Sequence, residues 1–195
     1  MFRCMGIQSV VFLSFLFLLS SCGSQNAGGG AGEFTTVTMT AQPQTVRLES
    51  DVITGNTCPT SATSGGAYET DSVDVDVAAT PYRNLTMSPL PVRIDTVTVS
   101  YTPKNAVSPA ILAQPYPVGI VITSGTALIP VPVAPEILKS KLVSDYNLQP
   151  CSGTLYEYYV TITFSGVEIG GTGTRQEFST NMSVAFADRA ETSAQ

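Results

Sequence analysis

The side chains that most often carry chemistry are sparse in this sequence, and one kind is missing. Its 195 residues include no histidine, which excludes triads with an imidazole base, histidine-ligated zinc and histidine-ligated haem together. Carboxylates are the remaining candidates. Asp71, Asp74 and Asp76 follow Glu69 closely, and Asp74 and Asp76 fall on one face of a strand whose other face carries Val73, Val75 and Val77. Oxygen ligands in loose geometry suit calcium. The Asp-x-Asp-x-Asp-Gly loop of a calcium hand is missing, however, and a solvated strand face accounts for the same residues. The second candidate group is aromatic: Tyr156, Tyr158 and Tyr159, with Tyr101 and Tyr116. Tyr156 and Tyr158 share one strand face and Tyr159 takes the other. An exposed row of tyrosines would stack on sugar rings or meet a protein, whereas a core face would bury the same rings. Gly170-Gly171-Thr172-Gly173 lies between two strands and reads as a hairpin turn rather than a phosphate cradle. No catalytic residue and no cofactor is assigned.

These residues must be positioned by strands. Apolar and polar residues alternate over 34–40, 45–49, 72–77 and 92–101, and further apolar, β-branched segments cover 118–123, 127–133, 155–164 and 177–186. Gly, Pro, Ser and Asn clusters separate them. One stretch differs: from Pro135 to Asp145, Ile137, Leu138, Leu142 and Val143 recur at helical spacing behind a proline, which predicts one helix of two to three turns with those residues inward. The run Ile129-Pro130-Val131-Pro132-Val133 cannot donate at its prolines, so it belongs at a sheet edge. Eight short strands and a single helix predict an all-β, antiparallel β-sandwich, since a parallel α/β fold needs repeated helical crossovers.

The N-terminus has a different character. Arg3 precedes an apolar run from Val10 to Leu19 and the small residues Ser20 and Ser21. This is the order of parts of an export signal, and a run of about ten residues is too short to span a bilayer, which takes about twenty. Leu19-Ser20-Ser21-Cys22 resembles the lipobox of bacterial lipoproteins. The resemblance implies cleavage before Cys22, diacylglycerol on its thiol and further acylation of the new amino group. Stable membrane anchoring needs two or more chains, so this chemistry suits an anchor. Gly23 follows the cysteine where retention at an inner membrane is usually signalled by Asp, so the resemblance points to an outer membrane. Residues 1–21 are thus read as the signal, 22–33 as a lipid-bearing, Gly-rich flexible tether, and 34–195 as one domain.

Loss of Arg3 with the signal leaves eight basic residues against fifteen acidic ones, a net charge of about −7. Such a surface repels phosphate backbones, and nucleic acid is excluded as an expected partner. Of four cysteines, Cys4 lies in the signal and Cys22 takes the lipid, which leaves Cys58 and Cys151. In an oxidising compartment that pair is expected to form a disulfide pinning two turns. Near the C-terminus, Tyr158 to Gly171 together with Ser183 to Asp188 is similar to the last two strands of immunoglobulin-like or fibronectin-like domains of bacterial surface lipoproteins. The resemblance implies an immunoglobulin-like sandwich. These features converge on a non-enzymatic structural or protein-interaction module, held at the cell envelope by its lipid and meeting an envelope partner. A carbohydrate- or calcium-binding sandwich is the alternative, and an enzyme working with carboxylates alone comes third.

Overall fold

The computed structural model describes residues 29–56 and 66–189. Nine strands and one helix follow in chain order: β1 Gly32–Glu33, β2 Val37–Pro43, β3 Arg47–Asp51, β4 Asp71–Pro81, β5 Val92–Pro103, β6 Gln114–Ile122, β7 Gly125–Ala134, α1 Glu136–Ser144, β8 Leu155–Glu168 and β9 Arg175–Ala187. They form a four-stranded sheet, β1-β2-β4-β7, and a five-stranded sheet, β3-β9-β8-β5-β6. All pairings are antiparallel except β3 with β9. The chain changes sheet after β2, β3, β4, β6 and β7, which gives the β-sandwich that the alternation and turn spacing predict.

Alternation decides which side chains make the core. Val73, Val75 and Val77 of β4 face inward with Ile129, Val131 and Val133 of β7. Val97 and Val99 of β5, Val160, Ile162 and Phe164 of β8, and Phe178, Met182, Val184 and Phe186 of β9 close on them from the other sheet. Each buried side chain of this size contributes about 1.5–3 kcal/mol through removal from water. Phe164 and Phe178, opposite one another across β8 and β9, stack with centroids 5.1 Å apart.

The open strand edges are managed in two ways. On one side of the sandwich, β6 carries Pro115 and Pro117 and β7 carries Pro130 and Pro132, so each edge lacks a donor at two alternate positions. On the other side the edge strands are short. β3 covers β9 only from Ser183 to Ala187. The lower half of β9 is met instead by the end of the Gly-rich stretch: Ser179 N donates to Gly30 O at 2.9 Å, and Gly30 N donates to Ser179 Oγ at 3.2 Å. Residues before Phe34 thus take part in the sandwich: Gly30 bonds to β9 and Gly32–Glu33 pair with β2.

The helix is found where expected, though its inward face differs. Leu138 and Leu142 are buried, but Ile137 is 61% exposed and Lys139 is buried in its place, 0% exposed. The helix docks obliquely across the end of the sandwich, and Lys139 reaches the oxygens that the ends of β3 and β4 leave there.

Candidate functional site

Tyr156 and Tyr158, the candidate ligand-binding tyrosines, are core residues. Their strand face is the inner one, so both rings point between the sheets. Tyr158 O–H donates to Pro109 O at 2.9 Å and packs edge-to-face on Tyr101 and Phe186. Burial pushes the phenols of Tyr158 and Tyr101 well above their ordinary pKa. Tyr156 O–H donates to Tyr146 O, ten residues upstream, at 2.8 Å. Tyr159 is the exposed ring of the three, with Lys104 Nζ 4.8 Å from its centroid.

The aspartates are not brought together either. Asp71 Oδ2 pairs with Lys139 Nζ at 2.9 Å, and Asp76 Oδ2 accepts from Gln44 Nε2 at 3.4 Å. Asp74 stands exposed on the outer face of β4. Among the described residues, no group of three or more His, Cys, Asp or Glu is placed to hold a metal ion. Asp71 is an odd position of β4, out of phase with Asp74 and Asp76, so alternation alone keeps it from sharing their face. Cys22 and Cys58 lie outside the described residues. Cys151 is disulfide-bonded and adopts a left-handed backbone, φ 60°. Its N–H donates to Asp188 Oδ2 at 2.6 Å, and Asn56 Nδ2 donates to both oxygens of the same carboxylate.

Among the described residues, a concavity lies at each end of the sandwich. At the end holding the β8–β9 hairpin, a polar groove of about 240 Å³ lies between Glu33, Thr35, Glu168, Thr172 and Gln176. Glu168 is only 4% exposed. Its carboxylate accepts from Thr35 N at 3.0 Å, from Thr36 N at 2.9 Å and from Thr36 Oγ1, while the same hydroxyl accepts from Leu90 N at 2.9 Å. Burial works to raise the Glu168 pKa, but the bonds from Thr36 and Thr35 outweigh it and hold the group below its ordinary value. This carboxylate is committed to pinning the turn before β2 and the loop before β5.

The opposite end carries an apolar groove of about 100 Å³ between the segment leading into β6 and the helix α1. Pro135 sets the helix start in extended conformation without a side-chain cap. Ile137 and Leu138 of the helix line the groove together with Ile111, Leu112, Gln114, Tyr146 and the exposed Lys141. Leu112 is 82% exposed and Ile137 61% exposed, an unusual placement for two large aliphatic neighbours. Lys141 makes no ion pair among the described residues. No family model, curated protein or solved structure matches the chain. The groove was missed in the sequence because Ile137 was assigned to the core; an aliphatic residue directly before an inward Leu138 was the available signal.

Proposed function

We propose that this chain is a lipid-anchored module of the bacterial cell envelope that engages a protein partner and turns over no substrate. Its anchor is Cys22, freed by removal of residues 1–21, and its expected place is the outer membrane. A bridge between Cys58 and Cys151 staples the end of the sandwich at which the partner docks. The observation that carries this reading is the groove between Leu112 and Ile137, where aliphatic surface stays in water beside a free lysine. In a chain of net charge −6, the exposed Lys141 favours an apolar partner side chain flanked by a carboxylate. Burying such side chains at the centre of a contact, with a charge at its rim, is how interfaces gain affinity and orientation.

The test uses the natively processed protein extracted from membranes. Affinity capture from envelope extract is expected to recover a partner with the wild type and to lose it with a Leu112→Asp, Ile137→Asp double variant. Equal recovery by both, or no specific partner with either, overturns the docking role. Intact mass of the same sample, compared with Cys22→Ala, reports acylation, and a two-hydrogen deficit that disappears on reduction reports the Cys58–Cys151 bridge.

A further inference from the structure

We infer that the anchor grips the sandwich by its side, so that the edge formed by β3, β9 and the strap at residues 29–33 faces the lipid surface while the proline-bearing edges of β6 and β7 face away. The inference rests on the lipidation of Cys22 proposed above and adds to it the orientation of the domain. Gly30 is bound to the edge of β9 through its paired bonds with Ser179, and Gly32–Glu33 continue from it as β1 on β2. Gly29 and Gly32 can approach β9 this closely because they lack side chains. A Cβ on Gly29 would collide with the carbonyl oxygen of Ser179, and one on Gly32 would stand 3.0 Å from Glu177 O. The glycines are therefore a packing surface against β9 and not only a linker.

The consequence is a short leash. Residues 23–28 alone separate Cys22 from the strap, so even a fully extended chain spans only about 25 Å from the acylated residue to Gly29. The leash is attached at the middle of β9, and three strands, β8, β5 and β6, lie beyond it in the same sheet. At about 4.8 Å per strand, the β6 edge stands roughly 19 Å from the β3 edge. Val46, whose carbonyl accepts from Ser183 N, is 62% exposed on the anchored side; Val121 on β6 is 52% exposed on the far side.

The chain contains no tryptophan, so Val46→Trp and Val121→Trp each introduce a unique fluorophore at an exposed position. Both variants, natively lipidated, are placed in vesicles of phosphatidylethanolamine and phosphatidylglycerol that carry a headgroup nitroxide lipid. Quenching at position 46 is expected to exceed that at 121 by about twofold or more, given the ~19 Å width of the sheet. Inserting a long Gly-Ser segment between Asn26 and Ala27, outside the described residues, is expected to bring the ratio close to one. Equal or reversed quenching in the acylated protein, or a ratio unchanged by the insertion, overturns the orientation and leaves the anchor standing. Absence of acyl mass on Cys22 overturns the anchor itself, and the orientation with it.

Discussion

Glu168 and Lys139 are buried charged side chains at opposite ends of the sandwich, and the two are satisfied by different means. Glu168, at the hairpin end, accepts from two backbone N–H groups and a threonine hydroxyl, all contributed by the turn that it holds. Lys139, at the helix end, takes a carboxylate from β4 and the carbonyl of Asp51 at 2.7 Å. The acid is thus solvated by neutral dipoles that fold around it, while the lysine depends on one opposite charge supplied by a distant part of the chain. Removing a partner should harm the second arrangement more than the first, because a buried lysine without its carboxylate keeps only the Asp51 carbonyl as a neutral acceptor.

The largest effect is accordingly expected from Asp71→Ala, which removes the carboxylate from Lys139 and should cost about 3–5 kcal/mol in urea unfolding. A loss below about 1 kcal/mol would mean that the Asp51 carbonyl and water suffice and that the two ends do not differ. Glu168→Ala comes next, at about 2–3 kcal/mol, since three donors lose their acceptor together. The same group sets an acid limb. Its folded pKa lies below the ordinary 4.5, so its contribution is complete above that value and is lost as pH falls through the folded one. The melting temperature of the wild type should drop across that window, and Glu168→Gln should flatten this part of the profile. An unchanged slope would place the acid sensitivity elsewhere.

Lys139→Met sharpens the contrast from the other direction. It keeps the apolar stem and removes the charge, leaving Asp71 partly open to solvent, and should change stability by less than about 1.5 kcal/mol. A loss equal to that of Asp71→Ala would show that the pair itself, not the stranded lysine, holds this end. The smallest change is expected from Ile137→Ser, within about 0.5 kcal/mol of wild type by thermal unfolding, because the side chain already stands in water.

The sheets were legible where burial is one-sided. Alternation in 72–77, 92–101 and 155–164 located β4, β5 and β8, because every second residue must leave water. What alternation could not supply is which face is inner, so Tyr156 and Tyr158 were as eligible for a ligand as for the core. The helix departed from expectation at Ile137 and Lys139 for a related reason. A lysine reads as surface unless its acceptors are visible, and those of Lys139 are a carboxylate and a carbonyl on strands far away in sequence. The strap at 29–33 was illegible because glycine has no side chain with which to show a period, and its reason for being there lies in the carbonyls of β9.

The prolines of β6 and β7 also bear on how many copies of this molecule can share a small space. A strand edge recruits another chain by offering donors and acceptors in register, and repetition of that step builds fibrils. With Pro115, Pro117, Pro130 and Pro132 on the two open edges, the ladder for such templating is interrupted on both sheets. Molecules crowded side by side can therefore collide along these edges at high local density and separate again as individual particles.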